Sequence, residues 1–135
     1  MLQVFKDPQE LDKLNAIIWP QMEHKTSTEL LSLLDTRQHS DKNVGVIEAA
    51  VLLEAGWNNI VDEVWLTVCE RETQIERIMD RNNLSREEAE NRLFAQSSSE
   101  EKMKKSDVII DTSGPKEQTK RFIEMQYNLV LNSRT

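Results

Sequence analysis

Residues 106–114 read "SDVIIDTSG", and Pro115 follows. Val108-Ile109-Ile110 is a short β-branched run closed by acids at 107 and 111, so it predicts a buried strand over 107–111. Thr112-Ser113-Gly114 is a small polar loop. Pro115 suits the start of a helix that runs to about Leu131, with Phe122, Ile123, Leu129 and Val130 as expected core contacts. A strand that ends in a polar loop before a helix is a place where backbone amides can meet a ligand.

Two other stretches carry the same signature. "VGVIE" (44–48) is apolar between turn residues, and "EVWLTV" (63–68) is rich in β-branched and aromatic side chains. Helical segments separate the three, so parallel pairing through right-handed crossovers is expected, in an α/β fold.

The helical segments are legible from their ends. Asp7-Pro8-Gln9-Glu10 is a start signal: a side-chain cap, a proline at the first helical position and an acid in the first turn. Leu11, Leu14, Ile17 and Ile18 then recur at helical spacing, and a second stretch, from about Gln21 to Leu34, is expected beyond a break or kink at Pro20. Residues 35–43 form a polar loop. From Glu72 to Arg81, Ile75, Ile78 and Met79 make an apolar side, with Arg77 and Arg81 opposite. Ser85 and Glu88 have the spacing of a capping box for the next helix, 86–96. Residues 97–107 are a polar return that includes Ser97-Ser98-Ser99.

Composition removes several function classes. The chain has 135 residues and a net charge of −7, which disfavours nucleic acid as the main partner. No apolar run approaches about 18 residues, so no membrane span is expected. The first ten residues lack the basic and apolar regions of a secretory signal. Cys69 is the single cysteine, which fits a reducing compartment, and His24 and His39 stand far from it, so no metal site is expected. Glycines occur only at 45, 56 and 114, with spacings of 11 and 58. Neither G-x-x-x-x-G-K-[ST] nor G-x-G-x-x-G can be built from them.

Three constellations remain as chemistry. Glu48 ends an expected strand, where a carboxylate can accept a hydroxyl proton; the plainer role is a cap or an exposed charge. Arg77 and Arg81, with Arg92 and Gln96 on the next helix, could neutralise phosphate; the plainer role is a solvated face paired with Glu76, Asp80, Glu87 and Glu88. Asp111 to Gly114 could meet a purine edge, or simply turn the chain. Trp19, Trp57 and Trp65 read as packing residues, and Cys69 as a small filler.

Four segments together resemble the dephospho-coenzyme A kinase family: "VFKDPQELDKLNAIIWP" (4–20), "VIEAAVLLEAGWNNIVDEVW" (46–65), "QIERIMDRNNLSREEAENRLFAQ" (74–96) and "SDVIIDTSG" (106–114). Trp19-Pro20 and "AAVLLEAGW" look most like the kinase domain of bifunctional coenzyme A synthase. The resemblance implies a P-loop nucleoside-kinase-like three-layer fold with a five-stranded parallel sheet. It implies transfer of the γ-phosphoryl of ATP, with magnesium, to the ribose 3′-hydroxyl of dephospho-CoA, the last step of coenzyme A synthesis. Residues 7–40 would be a helical acceptor-side region and 82–105 the lid, within one partial kinase domain. Arg77, Arg81 and Arg92 would approach the phosphates. Thr112, Ser113 and Gly114 would border adenine, and Glu48, Leu53, Glu54 and Gly56 would face the acceptor.

There are departures from the pattern. Glu48 stands where the family usually has Asp, and Thr112 where it usually has Asn. The family's glycine-rich loop and a nearby aspartate are not among these residues, so the stretch alone is expected to bind no cofactor tightly and to transfer no phosphate. The strands at 44–48 and 63–68 would flank the strand that feeds that loop. Their bare edges lead us to expect marginal stability or self-association. An intracellular location, cytoplasmic or mitochondrial, is expected. The alternative is a non-catalytic nucleotide- or CoA-binding or regulatory relative.

Overall fold

A computed structural model of the chain describes residues 7–35, 43–94 and 99–133. The chain divides into two compact units, Met1–Ile60 and Val61–Thr135. The greater part of the expected 35–43 loop, Gln96 and Ser97-Ser98 lie outside the described residues.

The first unit opens with α1, Pro8–Asp35. Its start is as the sequence signals: Asp7 Oδ1 accepts from the Gln9 N–H at 3.0 Å, and the Asp7 carbonyl from the Leu11 N–H at 3.1 Å. The expected break at Pro20 does not occur, because α1 runs through it as one helix. Proline removes one backbone donor, here the partner of the Ala16 carbonyl, and the turns on either side keep theirs. Ser27 and Thr28 spend their hydroxyls on the carbonyls of Glu23 and His24, each at 2.8 Å, and so add no competing turn.

Residues 43–49 contain no strand, contrary to the expectation at 44–48. An apolar run becomes a strand only when a second strand takes up its N–H and C=O groups, and among the described residues none does so here. Val46 is accordingly 81% exposed. Turns follow from 50 to 56 and lead into a 3₁₀ turn, Trp57–Ile60. The Trp57 N–H closes on the Leu52 carbonyl at 2.9 Å, and the indole is 3% exposed. Gly56 makes this possible at φ 74°, a left-handed conformation that costs other residues about 1–2 kcal/mol. A Cβ there would meet nothing within 4 Å, so Gly56→Ala is expected to cost about that amount through backbone strain alone, measurable by urea unfolding.

The second unit holds the sheet. β1 (Trp65–Val68) and β2 (Val108–Asp111) pair in parallel, Trp65 opposite Val108 and Val68 opposite Asp111. The pairing is extended at its start: Asp107 Oδ2 accepts from the Val64 N–H at 2.8 Å, and the Val64 carbonyl accepts from the Asp107 N–H at 2.9 Å. The sheet formed by the described residues has these two strands, against the five that the resemblance implies.

Between the strands come α2 (Arg71–Asn82), α3 (Arg86–Phe94) and α4 (Ser99–Lys104); α5 (Lys116–Ser133) follows β2. Ile75 at 1% exposure, Ala89 at 0% and Ile110 at 4% form the core with Val64. Ala89 is small because α3 packs on α2 here. Asn83 ends α2 in the left-handed region (φ 51°), and its N–H and that of Leu84 both donate to the Met79 carbonyl. On α5, Phe122 and Val130 are half-buried, but Ile123 and Leu129 face solvent, contrary to expectation. An amphipathic helix against a two-stranded sheet has only one stripe to bury.

The capping box forms: the Ser85 N–H donates to Glu88 Oε2 at 2.9 Å and the Glu88 N–H to Ser85 Oγ at 3.3 Å. The backbone bond from Ser85, then its hydroxyl, holds the Glu88 carboxyl below the usual glutamate range. A depressed folded value means this stabilisation is present above the unfolded pKa of about 4.3 and disappears as pH falls through the folded value. Glu88→Ala is therefore expected to unfold at lower urea than the parent chain at pH 7, and the gap is expected to close by about pH 3. A gap unchanged at acid pH would show that Glu88 acts through packing.

Candidate functional site

The second unit carries an open cleft of about 800 Å³ along β1 and beyond its carboxyl end. Strand ends of this kind are where open α/β sheets present ligand sites. Leu66, Val68, Ile78 and Leu93 supply its apolar lining, and Gln74, Arg77, Asp80, Arg81, Lys102 and Thr112 its polar lining.

Thr112 is the node of the site. Its N–H and its hydroxyl both donate to the Val68 carbonyl, at 2.8 and 3.0 Å, tying the exit of β2 to the end of β1. Arg77 then donates from Nη1 to Thr112 Oγ1 at 3.0 Å and from Nη2 to the Thr112 carbonyl at 2.7 Å. Arg77 is thereby fixed to the polar loop by two charge-assisted bonds. Gln74 performs a similar task on β1, donating from Nε2 to the Cys69 carbonyl at 2.7 Å.

The rest of the loop is held from below. Asp111 Oδ1 accepts from the Ser113 N–H at 2.8 Å, and that backbone bond, then the Ser113 side chain, holds its carboxyl below the usual aspartate range. Ser113 Oγ accepts from the Glu70 N–H at 3.3 Å. Thr119, in the first turns of α5, donates its hydroxyl to the Asp111 carbonyl at 3.3 Å. The loop is a strapped turn that leaves little to be ordered by an incoming ligand.

One link that the sequence did not signal fixes the angle of α3. Arg86, its first residue, forks onto Glu72 in the first turn of α2 (Nη1–Oε1 2.5 Å, Nη2–Oε2 2.8 Å), while its Nε donates to Glu90 at 3.0 Å. The Arg86 hydrogen bond holds Glu72 below the usual glutamate range. The pair is exposed, so its contribution is to geometry more than to stability.

The expected site residues therefore separate. Arg77, Arg81 and Thr112 line one cleft, with Ser113 next in the chain. Arg92 is exposed beside the Glu88 carboxylate and does not line the cleft, although its neighbour Leu93 does. Gly114 closes the loop without lining the cleft; a Cβ there would come within 2.8 Å of the flexible Gln118 amide. Glu48 and Glu54, both exposed, Leu53, half-buried, and Gly56 belong to the first unit. Cys69, expected as a small filler, Asp80, expected as an ion-pair partner, and Gln74 and Lys102 also line the cleft, none of them expected in a site. Gln74 could have been found as the residue one turn after the strand end. Lys102 could not, since α4 is six residues in a stretch that reads as featureless polar chain.

Arginine and lysine at the mouth of a parallel sheet fit phosphate or carboxylate oxygens. Among the described residues no group of three or more His, Cys, Asp or Glu stands together as a metal site. No helix of the described residues is long and apolar enough to cross a membrane.

The model of the dephospho-CoA kinase family matches residues 2–118. The dephospho-CoA kinase of Geobacter sulfurreducens is 41% identical over 121 residues, covering 90% of this chain and 59% of the relative. That of Symbiobacterium thermophilum is 36% identical over 121 residues, covering 90% of this chain and 49% of the relative. The chain thus spans about half to three fifths of the length of these relatives. The crystal structure of TT1252 from Thermus thermophilus superposes with a TM-score of 0.72 at 30% identity, covering 98% of this chain and 63% of that one. The fold is α/β of the P-loop nucleoside-kinase-like class, as its parallel strands and crossover helices indicate. The chain belongs to the dephospho-CoA kinase family.

Proposed function

We propose that these residues form the lid, adenine-side and acceptor-side parts of a dephospho-CoA kinase, which phosphorylates the ribose 3′-hydroxyl of dephospho-CoA from ATP. The observation that carries the reading is the cleft in which Arg77 and Arg81 of α2 meet Thr112 at the ends of two parallel strands. The arginines offset phosphate charge. Thr112 and Ser113 present backbone and hydroxyl groups to the base. Arg92, on the lid of 82–105, would approach the same phosphates. Residues 7–40, with Glu48, Leu53, Glu54 and Gly56, would receive the acceptor. ATP would supply the phosphoryl group, and magnesium would neutralise its β and γ oxygens. A glycine-rich cradle is needed to hold those oxygens, and the three glycines of this sequence cannot build one.

The experiment is an exchange. Residues 2–118 replace the matched portion of the Geobacter sulfurreducens kinase, and ADP release is followed with ATP, magnesium and dephospho-CoA. Saturable, dephospho-CoA-dependent turnover is expected from the folded chimaera. Nucleotide binding without turnover would favour a non-catalytic relative. Residues 1–135 alone are expected to give no turnover, and saturable turnover from them would overturn the requirement for the cradle.

The same reading bears on assembly. Ile17, Leu31, Leu33 and Val46 are exposed apolar side chains, which supports self-association of the isolated stretch. Sedimentation velocity is expected to show concentration-dependent species larger than 15.7 kDa. A monomer at all concentrations would contradict this.

A further inference from the structure

We infer that Arg86 is a positioning residue for the cleft: through its fork onto Glu72 it holds α3 at the tilt that keeps Leu93 in the cleft wall. The inference rests on the proposed reading of the cleft as a nucleotide face, and it gives a role to an ion pair that itself touches no ligand.

Packing alone does little to fix the tilt of α3. Among the described side chains of this helix only Ala89 is fully buried. A methyl group lets two helices approach closely, but it is too short to interlock with the facing side chains and resist rotation. Ala89 is therefore a fulcrum. Leu93 lies four residues beyond it, about 6 Å along the helix axis, and lines the cleft. Arg86 lies three residues before it, about 4.5 Å to the other side. A tilt that shifts one end of α3 shifts the other end the opposite way.

The Arg86 end is the one that is tied. Its two terminal nitrogens meet both carboxylate oxygens of Glu72, a planar two-point contact that fixes direction as well as distance. Its Nε donates to Glu90, which steadies the guanidinium from its own helix. Arg86 does not line the cleft. Nor does it suit its own helix: a cation at the first helical position opposes the helix dipole, whereas Glu87 and Glu88 in the same turn complement it. Glu72, in the first turn of α2, is on the favourable side of its dipole. The link between the helices explains an arginine at this position, and α3 by itself does not.

The test titrates the 135-residue chain with ATP by calorimetry and follows amide exchange along α3 without ligand. Arg86→Met and Glu72→Gln are each expected to weaken ATP binding by about threefold and to speed exchange from Ala89 to Leu93. The double variant is expected to lose no more than either single one, because both remove the same link. Arg86→Lys, which keeps the charge and loses the fork, is expected to fall between the parent chain and Arg86→Met. The sign of the Glu72→Gln effect separates positioning from the general field of the chain. Removing a negative charge would by itself favour an anionic ligand, so weaker binding reports the lost link. Circular dichroism checks each fold, and Glu72→Gln carries the test alone if Arg86→Met melts early. Tighter binding by Glu72→Gln, unchanged affinity in both single variants, or additive losses in the double variant would overturn the inference and leave the nucleotide-face reading standing. No ATP binding by the parent chain would overturn both together.

Discussion

Ile75→Ala is expected to destabilise the second unit by about 2–5 kcal/mol, the largest stability effect of any single change considered. Among the described residues Ile75 is the largest side chain that is fully buried, and it stands where the middle of α2 enters a core shared with Ala89 and Ile110. Truncation removes three carbons of apolar burial and leaves a cavity that two short strands and a nine-residue helix can close only by moving the site with them. A domain is commonly stable by about 5–15 kcal/mol in total, so the change takes a large share. Urea unfolding followed by tryptophan fluorescence measures it, since Trp65 lies on β1. A loss below about 1 kcal/mol would mean that α2 is not held by this contact. Ile75→Val, which keeps most of the volume, is expected to cost about 0.5–1.5 kcal/mol.

Arg77→Met is expected to produce the largest effect on ligand binding: a loss of at least about tenfold in ATP affinity, with faster amide exchange at Thr112 and Ser113. The substitution keeps an apolar stem against α2 and removes both bonds to Thr112. The loop keeps its ties to Val68 and Glu70, so it loosens without unfolding. Thr112→Val separates loop from charge. It retains the cation and the backbone bond to Arg77 but loses the hydroxyl that Val68 and Arg77 share, and a smaller loss of affinity is expected. If Arg77→Met bound ATP normally while exchange at Thr112 rose, the strut would be structural only. If neither changed, Arg77 would have no part in the site.

How far the sequence foretold this structure depends on where each signal originates. The strand expected at 107–111 and found at Val108–Asp111, and the capping box at Ser85 and Glu88, are legible because both are local: β-branched side chains limit the backbone, and a three-residue spacing closes its own hydrogen bonds. Residues 44–48 looked as strand-like as 63–68, but a strand is a relation between two segments, and no pattern within one segment reveals whether the other is present. At Pro20 the break is absent, because a 28-residue helix has enough turns on either side to absorb the roughly 3 kcal/mol that an interior proline costs. In the site, the periodicity of α2 put Arg77 and Arg81 on one side, and the small polar residues after β2 marked the loop. That Arg77 reaches Thr112, 35 positions away, follows from parallel pairing and could not be read from spacing. The Arg86 to Glu72 link and the entry of Lys102 into the cleft depend on how helices cross, which charge patterns leave undetermined.

The central claim is that the cleft between α2 and the ends of β1 and β2 is the nucleotide face of a kinase. Titration of the isotopically labelled chain with ATP, followed by amide chemical shifts, tests it most directly. The account predicts saturable shifts confined to Val68–Gln74, Arg77, Arg81, Lys102 and Thr112–Gly114. Shifts absent from these residues at millimolar ATP, or confined to the exposed side of α5, would contradict it.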